Sequence, residues 1–296
     1  MAKKPGDETR EFVASLDRGL RVLRVFSREH PQLTLSEVAG LTSLSPATAR
    51  RSLQTLESLG YVGRNGRQFL LRPKVLALSS GYLSAINTSV VFEPFLQEVV
   101  DEVGGSASVT VLDDLDVVYI ARVSAGRAVR PTAGVGSRYP AYATAVGRVL
   151  LAYQPTWAID AYFNQARLVA FTDATEIRPA ALRDVLKSVR VAGYAAIRDE
   201  LDYGIVSVAI PIFGREGRPV AAANCTDVTN RLDVGTLVAR RLPTLRQAVL
   251  RIENMLALHP EIEGSLESVT SDHMRGSLAA RHRNDLRAGK TAGLEP

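Results

Sequence analysis

The chain has 296 residues, 46% of them hydrophobic, a size and apolar fraction that support at least one full core and about two domains. A single cysteine, Cys225, excludes an intrachain disulfide and a multi-cysteine metal cage, so no metal or other cofactor is expected. No run approaches the roughly 20 apolar residues of a membrane span, and the leading Met1-Ala2-Lys3-Lys4-Pro5 lacks the apolar core of a signal peptide, so a cytoplasmic location without membrane contact is expected.

The net charge of +5 is unevenly placed: residues 1–75 carry 13 Lys and Arg against 7 Asp and Glu, and the rest carries 23 against 24. A basic front on a near-neutral remainder suggests a module that meets phosphates joined to one that does not. A solvated basic face would give the same charges, so the order of elements has to decide.

Leu16, Leu20, Leu23 and Phe26 recur at helical spacing, with Arg18, Arg21, Arg24 and Arg28 off that stripe, which predicts a first amphipathic helix ended by His30-Pro31. Thr34 followed by Glu37 has the capping-box pattern and opens a short second helix. Ser45-Pro46 marks the start of a third, because serine accepts from orphan amides and proline suits the first helical position; Gly60 marks its end. Ala49, Leu53 and Leu56 form its buried stripe. Ser45, Ala47, Thr48, Arg50, Arg51, Gln54 and Thr55 remain as the pool for a groove-facing side, the small, polar and arginine side chains that major-groove entry requires. Two short strand patterns flank Asn65-Gly66-Arg67, a hairpin signal with both turn positions expected at positive φ. The hairpin reads as a wing, with Arg64 and Arg67 expected at its tip to reach phosphate or minor groove. Helix, turn, helix and wing in this order predict binding to a double-stranded DNA operator.

Residues 73–88 read as a linker helix with an apolar face suited to dimerisation. A helix from Phe92 to Val103 follows, then alternating strands at 106–112 and 117–123 around an Asp113–Asp116 turn. Helices near 142–153, 156–163 and 180–192 come next, then strands at 207–213 and 219–225 and a last helix near 234–257. Strands in groups with helices gathered between them predict an α+β domain. Catalytic constellations are poor: His30, His259, His273 and His282 fall in linkers, helix ends or the tail. Cys225 reads as a small buried hydrophobe, so the chain is not expected to be an enzyme. Gly134-Val135-Gly136-Ser137 lacks the later glycine of a phosphate loop. At Pro140–Ala152 small residues lead into a helix whose free amides could hold a carboxylate; close helix packing would demand the same small residues.

The blocks Ala49–Val62, Gly136–Arg138 with Gly147–Ala152, and Glu200–Gly204 resemble the IclR-type regulators, over about Ser15 to Ile252. Within that family they are most similar to the branch controlling protocatechuate and p-hydroxybenzoate breakdown. The resemblance implies a winged helix-turn-helix at 15–72, a linker helix at 73–88 and a GAF-like mixed α/β effector domain at 89–259, acting as a homodimer or homotetramer. It also implies a pocket for a small organic acid, with the backbone of Ala145 and Val146 on the carboxylate and Ser207, Asn224 and Thr226 as polar side chains. Ile197 stands where a relative that binds small keto acids carries a carboxylate, so an aromatic acid is expected rather than glyoxylate. RNA polymerase remains a candidate contact. Residues 1–14 and the tail 260–296 are expected to be disordered, with Arg275, Arg281, Arg283, Arg287 and Lys290 solvated. The alternatives are a GAF-like small-molecule enzyme and an interaction module that binds no DNA.

Overall fold

The computed structural model describes residues 12–27, 29–125, 134–228 and 233–266. Arg28, His273, His282, the basic residues of the tail, and the stretches 1–11 and 267–296 expected to be disordered lie outside the described residues. The chain divides into two compact units at Tyr82 and Leu83.

The first unit holds α1 (Ala14–Arg24), β1 (Leu33–Thr34), α2 (Leu35–Thr42), α3 (Pro46–Ser58), β2 (Val62–Asn65) and β3 (Gln68–Leu71). The strands form an antiparallel sheet in the order β1-β3-β2. The expected stripe of α1 is corrected. Val22 and Phe26 enter the core, whereas Leu16 and Leu20 are 61% and 47% exposed and border an open groove with Leu59 and Leu78. Val22 and Phe26 share a face at i, i+4, and that face, not the leucine row beside it, packs against Leu53 and Val38 in the same core. The capping box of α2 is present: the Thr34 amide donates to Glu37 Oε2 at 2.7 Å, and the Glu37 amide donates back to Thr34 Oγ1 at 3.4 Å. Ser43 takes a left-handed conformation, φ 53°, and reverses the chain between α2 and α3. β1 gave no sequence signal because two residues are too few to show alternation.

The hairpin lies where expected, but its turn differs. Asn65 pairs with Gln68, so the two loop residues are Gly66 and Arg67, and of these only Gly66 has positive φ. A glycine at the first loop position with an ordinary second residue is the II′ pattern, whereas Asn-Gly at the loop centre would have been I′.

The linker is also shorter than expected. A 3₁₀ turn at Pro73–Val75 leads into α4 (Leu76–Ala85), and Asn87 in the left-handed region separates it from α5 (Thr88–Val91). The unit boundary falls inside α4.

The second unit is built on one antiparallel sheet of six strands in the order β6-β5-β4-β9-β8-β7. The strands are β4 (Ser106–Asp113), β5 (Asp116–Ser124), β6 (Arg138–Pro140), β7 (Ala195–Arg198), β8 (Ile205–Phe213) and β9 (Pro219–Val228). Alternation divides its faces. Val206, Val208, Ile210, Ala221, Ala223 and Cys225 join a core shared with α6 (Glu93–Val103) and α10 (Val234–Leu258). Ala209 and Ala222, on the opposite face, pack with α7 (Ala145–Ala152), α8 (Thr156–Gln165) and α9 (Pro179–Ala192). A one-residue slip would exchange these faces, so burial on both sides fixes the register. The fold is α+β, as expected. β6 and β7 are edge strands of three and four residues that sequence alternation does not reveal.

The expected disorder of the tail is corrected over its first seven residues. Pro260–Leu266 forms α11, which buries Ile262 and Leu266 one turn apart, and Glu263 Oε1 accepts the Arg215 amide at 2.7 Å. Among the described residues no helix is long and apolar enough to cross a membrane, and no group of three His, Cys, Asp or Glu could hold a metal ion.

Candidate functional site

In the first unit α3 presents its polar side outward. Ala49, Leu53 and Leu56 are buried, and Ser45, Ala47, Arg50, Arg51, Gln54 and Thr55 are exposed; Thr48 is half-buried. Ser45 caps the helix, accepting the Thr48 amide at 3.3 Å and donating to Thr48 Oγ1 at 2.9 Å, so its hydroxyl is occupied by the helix start. Of the two wing arginines only Arg67 sits in the turn. Arg64 belongs to β2 and folds back: its Nε donates to both Glu57 oxygens at 2.9 and 3.0 Å, and its guanidinium lies 4.7 Å from the Phe69 ring centre. That pair braces the wing against α3.

In the second unit a recess opens between the start of α7, the polar floor of the sheet and the loop after β7. Ala145 and Val146, Ser207, Asn224 and Thr226, and Ile197 all border it. The strand register explains this convergence, because Ile197 pairs with Ser207 and Ser207 with Thr226, while Asn224 lies two residues along on the same face.

The start of α7 is built to leave amides open. Thr144 is the N-cap and accepts the Gly147 amide at 3.0 Å. The Ala145 and Val146 amides precede the first intrahelical donor and hydrogen-bond to no acceptor among the described residues. Gly147 has a packing reason of its own: a Cβ there would overlap the backbone of Ala141. The small-residue stretch therefore serves close packing at Gly147 and open amides at Ala145 and Val146.

Two charged groups complete the recess. Arg122, from β5, donates Nη1 to Ser108 Oγ at 3.2 Å and Nη2 to Ser106 Oγ at 3.1 Å, which lays a cation along the floor. Glu200 is paired with Arg148, whose Nη1 lies 2.6 Å from Glu200 Oε1 and whose Nε donates to the Tyr142 carbonyl at 2.9 Å. The loop carrying Glu200 is further held by Thr175, whose hydroxyl donates to the Glu200 carbonyl at 2.5 Å. With Glu200 paired to Arg148, the open amides at the start of α7 leave the recess suited to an anion.

Comparison with known proteins decides what carries this pair of sites. Residues 15–66 match the IclR helix-turn-helix domain, and residues 80–254 match the family described as bacterial transcriptional regulator IclR C-terminal. The chain belongs to the IclR family of bacterial transcriptional regulators. It is similar to the Pca regulon regulatory protein of Pseudomonas putida, 35% identical over 80% of this chain and 82% of that protein. It is also similar to the p-hydroxybenzoate hydroxylase transcriptional activator of Acinetobacter baylyi, 31% identical over 84% and 93%. Among solved structures, an IclR homolog from Microbacterium hydrocarbonoxydans complexed with 4-hydroxybenzoate matches with TM-score 0.66 and 26% identity, over 82% of this chain and 98% of that one. A transcriptional regulator from Rhodococcus sp. RHA1 matches with TM-score 0.69 and 40% identity, over 83% and 99%.

This IclR-family chain is thus a DNA-binding transcription regulator with an effector domain, and the expected branch agrees with these relatives. Sequence reasoning missed half of the recess: Tyr119, Arg122, Thr144, Glu200, Leu201 and Ile205 also border it. Arg122 and Arg148 did carry a signal. Each is an arginine inside an otherwise apolar strand or helix, a placement that costs free energy unless a partner is built for it.

Proposed function

We propose that this regulator senses a small aromatic carboxylic acid in its second unit and changes its hold on a DNA operator in response. The observation that carries the reading is the recess itself, where open amides at Ala145 and Val146 face a buried polar floor bordered by apolar Tyr119, Ile197, Leu201 and Ile205. Such a recess offers dipoles to a carboxylate and apolar surface to a ring. That relatives act on the Pca regulon and on p-hydroxybenzoate hydroxylase, and that one homolog is complexed with 4-hydroxybenzoate, supports the same ligand class.

In the DNA-binding head, Ala47, Arg50, Arg51 and Gln54 meet base edges, with Thr48 at the flank of that face. Ser45 sits at the helix start against the phosphate backbone, and Arg67 contacts phosphate from the wing. Arg64 contributes by holding the wing on α3. The protein works in the cytoplasm as a homodimer or a homotetramer: α4 buries none of its residues within one chain, and its Leu76 and Leu78 are 64% and 55% exposed, apolar surface that a second copy would cover. An activating role would add RNA polymerase as a partner. The recess binds its ligand without transforming it, in keeping with a buried Cys225 whose thiol is pushed up to about 12 by loss of solvation.

The test is calorimetric titration of the full chain with hydroxybenzoates, joined to fluorescence anisotropy on DNA from upstream of its own gene, with and without the acid. Binding of the acid together with a changed affinity for that DNA is the expected result. Unchanged DNA affinity in the presence of bound acid would overturn the reading.

A further inference from the structure

Ser207, Asn224 and Thr226 form a closed triangle of hydrogen bonds on the floor of the recess, and the number of protons available sets its direction. The Cys225 carbonyl can only accept, and the Ser207 hydroxyl gives it its proton at 3.2 Å. Ser207 Oγ can then only accept from its other neighbours, so the Thr226 hydroxyl donates to it at 3.1 Å. Neither oxygen keeps a proton for Asn224. The amide therefore turns Nδ2 toward both, at 3.0 Å from Ser207 Oγ and 2.8 Å from Thr226 Oγ1. Turned the other way, Oδ1 could accept the Ser207 or Thr226 proton only at the expense of the bonds to the Cys225 carbonyl and to Ser207 Oγ, and Nδ2 would lose both of its acceptors.

This arrangement commits Asn224 Oδ1 to be the amide's remaining acceptor, and it is a buried atom without a hydrogen-bond partner in a side chain on a residue 3% exposed. A buried acceptor left unsatisfied is costly, so such atoms are ordinarily completed by something that donates. Asn224 borders the recess, and the nearby charged donor, Arg122, has its Nη1 and Nη2 on Ser108 and Ser106. We infer that the effector carries a hydroxyl or amino group that donates to Asn224 Oδ1, so that the site selects donor-bearing aromatic acids over isosteres that can only accept. The inference rests on the aromatic-acid reading and specifies the ligand chemistry within it. Asn224 becomes a specificity residue: the carboxylate is held at α7, and the substituent is read by proton direction.

The experiment is calorimetric titration of the full chain with 3- and 4-hydroxybenzoate, the matching aminobenzoates and the matching fluorobenzoates. Fluorine is small and cannot donate. At one ring position the hydroxy and amino acids are expected to bind about tenfold or more tightly than the fluoro acid, the size of one buried hydrogen bond. Asn224→Leu, which removes the acceptor at similar volume, should bring that ratio close to one; Asn224→Ala, which also carries no acceptor, is the second variant, and melting curves report whether each folds. Equal affinity of hydroxy and fluoro acids for the unmodified chain would overturn the donor requirement while leaving the aromatic-acid reading in place. A ratio that survives in either folded variant would overturn the assignment to Asn224, and no binding by any of these acids would overturn both readings.

Discussion

Arg148 Nη1 lies 2.6 Å from Glu200 Oε1, and the two side chains are only 5% and 12% exposed. The helix that presents the Ala145 and Val146 amides is thereby tied through a buried ion pair to the loop that borders the recess after β7. Paired charges taken out of water gain little over apolar residues of the same shape, but breaking one side of the pair is severe.

Glu200→Gln is therefore expected to destabilise the second unit by about 3 kcal/mol, because Arg148 stays buried with its charge uncompensated. Arg148→Met in the Glu200→Gln background should recover a good part of that loss, since it removes the stranded cation. Thermal denaturation of Glu200→Gln, Arg148→Met and the double variant tests this. Losses that simply add in the double variant would show that the two side chains do not act as a pair.

Gly147 offers a sharper steric test. Its absent Cβ is what lets α7 approach the Ala141 backbone, and backbone cannot swing aside as a flexible side chain can. Gly147→Ala should cost about 2 kcal/mol or more despite alanine's better helix propensity, measured by the melting temperature of the full chain. A stabilised variant would mean that the helix start shifts freely.

Both α7 features were half legible in the sequence. The run Ala145-Val146-Gly147 after Pro140 suggests either an anion site or close packing, and local spacing cannot separate them because the packing partner, Ala141, is joined through a 3₁₀ turn that leaves no periodic signal. The helix-turn-helix was legible almost to the residue, since its caps are local: Thr34 with Glu37, and Ser45 with Pro46. Its first helix was misread because Leu16, Leu20 and Leu23 form a regular apolar row that the fold leaves partly open, so periodicity found the helix but not the buried face. Arg122 and Glu200 escaped because their roles depend on cross-strand register and on a loop 52 residues from Arg148 in sequence.

On DNA, Arg67→Ala is expected to weaken binding to operator and random sequence alike and to lower the salt slope by about one, as loss of a single phosphate contact should. Arg51→Ala, on the exposed face of α3, should cost about 1–3 kcal/mol on the operator and less on random DNA. Anisotropy titrations over a range of salt separate the two. Equal losses on both DNAs for Arg51→Ala would remove it from the base-reading set.

Cys225 provides a probe of the sheet on which the recess is built. Burial pushes its thiol up to about 12, whereas an unfolded cysteine ionises near 8.5. The folded chain keeps a proton that the unfolded chain releases, so this group lowers stability progressively as pH rises above about 8.5, an effect that reaches its limit near 12. At pH 8 the native thiolate is scarce and shielded, so alkylation by iodoacetamide should be negligible until the second unit opens and should then follow its unfolding curve across a denaturant series. Rapid alkylation of the native chain, seen by mass spectrometry, would show that β9 opens locally and that the floor of the recess is not the fixed surface on which Asn224 depends.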